Sequence, residues 1–307
     1  MYLQNLTIEE KCDFLYNIWK YIESKGFDDL SLSLSEYYIF TSAYAISKAE
    51  TSQLTEEEAL AIFNKNYTNY LLDENSEKFI NEFIDEYNTL MNWNLPYSKY
   101  MNKIKKLHDK LEYNNIVNAM KYINVEENTN LRDYVLNYGI TKELLIKLHH
   151  ILTYRMDDLF QNSGIHDYFP YMSWELRQWD HINVWWHAVW LAKDIEDKIE
   201  IIRQKSLNIQ NIFDVFEIHG IMYEAHIFNN GNKRISRIIE TLLIKIYNFA
   251  PSIPISYGYF IYKDFYICKL VDLVLESKDF KTWADFSYTS ALLSSLEMLF
   301  HIAQWIM

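Results

Sequence analysis

Six glycines and four prolines are all that this chain of 307 residues contains, where ordinary usage is roughly 7% and 5%. A many-stranded fold needs frequent tight turns, and tight turns draw on residues that reach positive φ or preset the backbone. The scarcity therefore predicts an all-α fold. Half of the residues are hydrophobic and 17% are aromatic, a globular composition rather than that of a disordered chain. At this length the chain can bury enough apolar surface to be stable without staples, in one large domain or two modest ones.

Hydrophobic periodicity locates the helices. Ile8, Cys12, Leu15, Ile18, Trp19 and Ile22 recur every three to four residues and predict a helix over 8–25. A second is expected over 34–49. Thr55-Glu-Glu-Glu58 reads as a capping box that opens a third, over 59–70, and Phe79, Phe83, Tyr87 and Met91 mark a fourth over 75–92. The Asn-rich text Glu126-Glu-Asn-Thr-Asn130 places a surface connection near 124–131. It divides an N-terminal helical region, 1–130, from a second region, 131–307.

In that second region Leu144, Leu145, Leu148 and Leu152 share a helical face. The segment Gly164-Ile-His-Asp-Tyr-Phe-Pro-Tyr-Met172 interrupts the pattern and is expected to form a short hairpin or an irregular flap. Helices are expected over 182–202 and 212–225, and Trp174, Trp179, Trp185, Trp186 and Trp190 are expected in the core. Ile235, Ile238, Ile239, Leu242, Leu243 and Ile246 define a further long helix that stops before Pro251, and 265–299 reads as two or more.

A net charge of −13 opposes binding to a polyphosphate backbone, and no basic stripe offsets it, so nucleic acid is not an expected partner. No segment approaches the 18 apolar residues of a membrane span, and Glu9, Glu10 and Lys11 fall where a signal peptide needs an apolar run. A cytoplasmic location is expected, with export to a host cell as an effector the alternative. Cys12 and Cys268 have neither metal-site spacing nor the number for a disulfide framework. His149, His150, His181 and His187 lack the carboxylate or thiol neighbours of a zinc site.

The chemistry concentrates in His226-Ile-Phe-Asn-Asn-Gly-Asn-Lys-Arg-Ile-Ser-Arg237. A glycine in a turn that opens a helix lets backbone N–H groups converge on an anion, and the helix adds its positive end. Lys233, Arg234 and Arg237 then put three cations in the first turns. Alone, they would oppose the helix dipole; a bound polyanion would resolve the conflict. A neutral His226 at the lip could take a proton from a hydroxyl attacking phosphorus.

This segment resembles the motif of the Fic family, His-x-Phe-x-(Asp/Glu)-Gly-Asn-x-Arg-x-x-Arg, with His226, Phe228, Gly231, Asn232, Arg234 and Arg237 in place. His219 and the stretch from Tyr262 to Phe286 are similar to the family's text as well. The resemblance covers about 140–300. It implies a Fic-type helical bundle with a small β-hairpin flap, placed at 164–172, and a catalytic core in 131–307. It also implies a protein adenylyltransferase: a Ser, Thr or Tyr hydroxyl of a target protein attacks the α-phosphate of ATP, with Mg²⁺ or Mn²⁺. In that reading His226 is the base. Gly231, Asn232 and Lys233 lie along the phosphates, Arg234 binds the β-phosphate and Arg237 the γ-phosphate.

Two positions depart from the motif. Asn230 stands where the family has the acidic metal ligand, and an amide is a weaker ligand for a hard cation than a carboxylate. Lys233 stands where adenylylating members have glycine, and Asn-Lys-Arg resembles the Doc branch, which phosphorylates its targets. Phosphoryl transfer and nucleotide binding without turnover are therefore the alternatives. The segment Ile46-Ser-Lys-Ala-Glu-Thr-Ser-Gln-Leu-Thr55 resembles the family's inhibitory helix, (Ser/Thr)-x-x-x-Glu-(Gly/Asn), within about 42–51. Ile46 and Thr51 depart from it. On that resemblance Glu50 is the inhibitory residue, expected to form a bidentate pair with Arg237; otherwise it is one more solvated charge.

Overall fold

The structure, a computed structural model, describes residues 6–25, 34–50, 52–66, 74–91, 97–124, 128–159, 171–179, 183–184, 187–188, 191–250, 253–273 and 278–306. Its helices follow the apolar stripes: α1 (Ile8–Lys25), α2 (Leu34–Ala49), α3 (Glu56–Asn66) and α4 (Glu74–Met91). The capping box forms as expected, with Thr55 N donating to Glu58 Oε2 at 3.1 Å and Glu58 N donating to Thr55 Oγ1 at 3.3 Å. Next come α5 (Tyr97–Tyr122), α6 (Thr129–Tyr138) and α7 (Lys142–Thr153). The Asn-rich text straddles a helix junction: Asn128 caps α6 by accepting from Leu131 N. Asn114, Asn115 and Asn118, by contrast, are buried along α5.

The second half holds α8 (Ile195–Ser206), α9 (Ile212–Ala225), α10 (Asn232–Ile246), α11 (Ile255–Ile261), α12 (Lys263–Asp272) and α13 (Phe280–Ile306). α9 packs against α8, α10 and α13, so the loop between α9 and α10 starts from a well-buried scaffold. On α10, Ile235, Ile238, Ile239, Leu242 and Leu243 are all buried, each worth about 1.5–3 kcal/mol relative to exposure. Gly258 brings α11 onto α13: a Cβ there would lie 2.1 Å from the Ser290 carbonyl oxygen. No helix among the described residues is long and apolar enough to cross a membrane.

The fold is all-α, and among the described residues its strands form one small antiparallel pair outside the expected flap at 164–172. β1 (Asn183–Val184) pairs antiparallel with β2 (His187–Ala188), in the stretch expected to begin a helix. The helix proper, α8, starts at Ile195 after a short 3-10 turn. The cause is compositional: Val and Trp favour a pleated, half-buried surface, and a short apolar run reads equally well with either period. Of the expected flap, 164–170 lie outside the described residues, while Tyr171 and Met172 are irregular. Trp174 and Trp179 are 56% and 58% exposed, against the core position expected of them. They lie on an irregular segment, where helical spacing has no meaning, and Trp174 has φ +78°. Trp185, Trp186 and Trp190 are outside the described residues.

Candidate active site

α9 ends at His226, whose backbone is left-handed (φ 47°, ψ 57°), a conformation uncommon for a residue with a side chain. Arg177 holds it there. Its Nε donates to the His226 carbonyl at 2.8 Å and its backbone N to the Ile227 carbonyl at 2.9 Å. Arg177 is 2% exposed, and no sequence signal singles it out, because it belongs to an irregular segment remote in sequence from the loop.

The next residues brace the turn. Phe228 is fully buried, with its ring stacked on His149 at 3.9 Å and an interplanar angle of 1°. Asn232 closes the loop on itself: its Oδ1 accepts from Phe228 N at 2.9 Å and its Nδ2 donates to the Phe228 carbonyl at 2.6 Å. The Asn232 side chain is therefore committed to the loop, which leaves its backbone amide as the group it can offer an anion. Gly231 takes φ 82° at the start of α10, which an L side chain would resist. Ile235 N makes the first helical bond, to the Gly231 carbonyl, so the amides of Asn232, Lys233 and Arg234 have no partner within the helix.

The three cations expected to meet an anion are all met, but by carboxylates of this chain. Glu50, just past the end of α2, lies 2.9 Å from Lys233 Nζ and 3.6 Å from Arg237 Nη1. The expected bidentate Glu50–Arg237 pair is absent: Arg237 Nε donates to Tyr266 OH at 3.1 Å and Nη1 to the Ile46 carbonyl at 3.3 Å, and Glu50 comes no nearer than an ion-pair distance. Lys233 takes the closer contact. Arg234 is 4% exposed and pairs with the buried Glu112 of α5. Its Nη2 approaches Tyr171 OH at 3.5 Å and Asn230 Oδ1 at 3.4 Å.

Polar groups with unmet hydrogen-bonding capacity cluster here. Buried and without a hydrogen-bond partner are His226 Nδ1, His149 Nδ1, Asn229 Oδ1, Glu50 Oε1, Arg234 Nε and Arg237 Nη2. Such groups are costly in a folded interior, and their concentration at one loop asks for an explanation by function. Electrostatics agree with the geometry. Burial, with the charges of Arg177 and Lys233, pushes the His226 imidazole down to about 3, so it is neutral at ordinary pH. Burial resists ionisation of Glu50, but Lys233, Arg237 and Arg234 outweigh it and hold the carboxyl at about 2. Burial pushes the Glu112 carboxyl upward, with Arg234 pulling against it.

The donors at this loop do not fit a magnesium ion held by the protein. Asn230 Oδ1, the expected ligand, already accepts from Gly231 N at 2.7 Å and from Arg234. The two nearby carboxylates are paired with cations, whereas Mg²⁺ is ordinarily held by carboxylate and phosphate oxygens. Among the described residues, no group of three or more His, Cys, Asp or Glu side chains is arranged to hold a metal ion.

No protein-family profile matches this sequence, and no curated protein does. Among solved structures, the chain resembles the crystal structure of a Fic family protein from Desulfovibrio desulfuricans G20. The TM-score is 0.59 at 13% identity, over 96% of this chain and 75% of the other. Identity at that level speaks for the architecture alone, and the architecture into which α9, the His226 loop and α10 are built is that of a Fic-type fold.

Proposed function

We propose that this chain is a protein adenylyltransferase whose nucleotide site is held shut by Glu50. The observation that carries the reading is the opening of α10: amides with no partner in the helix, three cations and a neutral histidine converge, and the anion already beside Lys233 and Arg237 is the carboxylate of Glu50, just past the end of α2. An anion-binding helix end normally takes phosphate. With Glu50 displaced, Lys233 and Arg237 become available to a triphosphate.

The step is an in-line displacement. The hydroxyl oxygen of a target Ser, Thr or Tyr forms a bond to the α-phosphorus of ATP, the bond from that phosphorus to the bridging oxygen breaks, and pyrophosphate leaves. His226 receives the hydroxyl proton. The Asn232 and Lys233 backbone amides, with the Lys233, Arg234 and Arg237 side chains, neutralise phosphate charge beside the Gly231 turn, which supplies most of the acceleration in phosphoryl chemistry. Mg²⁺ or Mn²⁺ would be carried by the nucleotide's own phosphate oxygens. The target is a protein met in the cytoplasm or, after export, in a host cell.

Two residues favour other readings: Lys233 phosphoryl transfer, and Asn230 nucleotide binding without turnover. Parallel incubation with α-labelled and γ-labelled ATP separates them. Protein-bound label from the α position alone is the expected result; label from γ alone, or from neither despite nucleotide binding, rejects adenylyl transfer. Glu50→Gly is expected to raise labelling about tenfold or more, since a hydrogen bond to a charged group is worth roughly 1.5–3 kcal/mol. No change in the purified variant sinks the brake.

A further inference from the structure

We propose that Glu112 is a second internal anion in the same cradle, which occupies Arg234 from α5 as Glu50 occupies Lys233 and Arg237 from the end of α2. The inference rests on the nucleotide reading above and adds a separate regulating element to it. Glu112 is 5% exposed, and a carboxylate buried that deeply requires a partner. The partner it has is the motif arginine itself. Glu112 takes the one close charged contact of Arg234, at Nη1, while Nη2 lies toward Tyr171 and Asn230 and Nε is buried without a partner. A phosphate that engages Arg234 through Nη1 must take the place Glu112 holds.

One turn of α5 joins this contact to its surroundings. His108 lies four residues before Glu112, on the same helical face. Its Nε2 is 3.0 Å from Tyr171 OH, the hydroxyl that also faces Arg234. Asp109 Oδ2 accepts from Gln53 N at 2.7 Å, so the segment just after Glu50 is tied to the same turn. The two carboxylates thus reach the cradle from different parts of the chain, the end of α2 and the middle of α5, but share one anchor. Against the three cations of the α10 opening they leave one positive charge, so a di- or triphosphate gains its full attraction only when both have moved.

The test is a phosphate ladder on the full chain. Affinities for adenosine, AMP, ADP and ATP are measured by calorimetry for the wild type, Glu50→Gly, Glu112→Gln and the double variant, with circular dichroism confirming each fold. Glu112→Gln is expected to tighten ADP and ATP about tenfold or more while leaving adenosine unchanged, and the double variant is expected to bind ATP tightest. If Glu50→Gly binds ATP but Glu112→Gln binds ADP no better than wild type, Glu112 merely orients Arg234 and the proposal is overturned. If every variant folds and none binds any nucleotide, the nucleotide reading falls and takes this one with it. Should Glu112→Gln fail to fold, fluorotyrosine placed at position 171 in the otherwise unaltered chain reports on Arg234 by ¹⁹F NMR. A shift with ADP and none with adenosine is expected; identical spectra overturn the proposal.

Discussion

Two consecutive helices, packed on each other, begin in opposite ways. α9 starts with Asn211, whose Oδ1 accepts from Phe213 N at 2.9 Å, and Asp214 completes a capping box by accepting from Asn211 N at 3.0 Å. That is what an isolated helix wants: a cap and a negative charge at its positive end. α10 starts with a left-handed glycine, no side-chain cap and no acid in its first turn. It puts Lys233 and Arg234 there instead, with Arg237 one turn on, and the compensating carboxylates arrive from just past the end of α2 and from α5. α9 is begun for stability. α10 is begun with unpaired amides and cations, and the carboxylates that meet those cations come from elsewhere in the chain.

The largest effect that distinguishes the two helix starts is chemical. His226→Ala, with circular dichroism checking that both helices persist, is expected to lower label transfer by roughly 10²–10⁴-fold, the ordinary worth of a general base, measured in the Glu50→Gly background where the signal is higher. Transfer that survives undiminished assigns the proton to another group and reduces the α10 opening to a binding site.

Acid should weaken the α10 end. His149, stacked under Phe228, is fully buried, and burial holds its imidazole down to about 3 even though its Nε2 contacts the Asn230 carbonyl at 3.0 Å. The folded chain keeps it neutral while the unfolded chain protonates it near 6.5, so stability is complete above that pH and is lost as pH falls through the folded value. The loss attributable to His149 is roughly 1.4 kcal/mol per pH unit below about 6. Urea unfolding at pH 6, 5 and 4 checks it: His149→Gln should lower the slope of stability against pH by close to one proton. Equal slopes would mean that the ring is already charged in the fold.

How much of this was legible in the residues depends on the range of the interaction. α2, α9 and α10 follow from apolar spacing, and the His226 segment from its own text, because both are local patterns. Glu50 is visible only through its resemblance to an inhibitory helix, and the sequence could not say that Lys233 takes the nearer contact. Glu112 meets Arg234 across 122 positions, and Arg177 meets His226 across 49. Neither leaves a periodicity or a spacing, since their pairing is made by the fold. The hairpin at 183–188 fails for another reason: a short run rich in Val and Trp satisfies helix and strand alike until its neighbours choose.

The smallest expected effect is the sharpest test of the comparison, because its sign reverses. Lys233 is 30% exposed and its partner Glu50 15%, so in the wild type Lys233→Ala removes a partly buried ion pair and should cost up to about 1 kcal/mol. With Glu50→Gly already in place, Lys233 is a lone cation at the positive end of α10. Its removal should then stabilise the chain by about 0.3–1 kcal/mol. Saturating ATP should turn the sign again, because the nucleotide replaces the missing carboxylate as the partner of Lys233. Urea unfolding of the four chains, with and without ATP, reads all three signs. A Lys233→Ala effect that is the same in both backgrounds would mean that the cation never depended on Glu50, and the opening of α10 would then be no more specialised than that of α9.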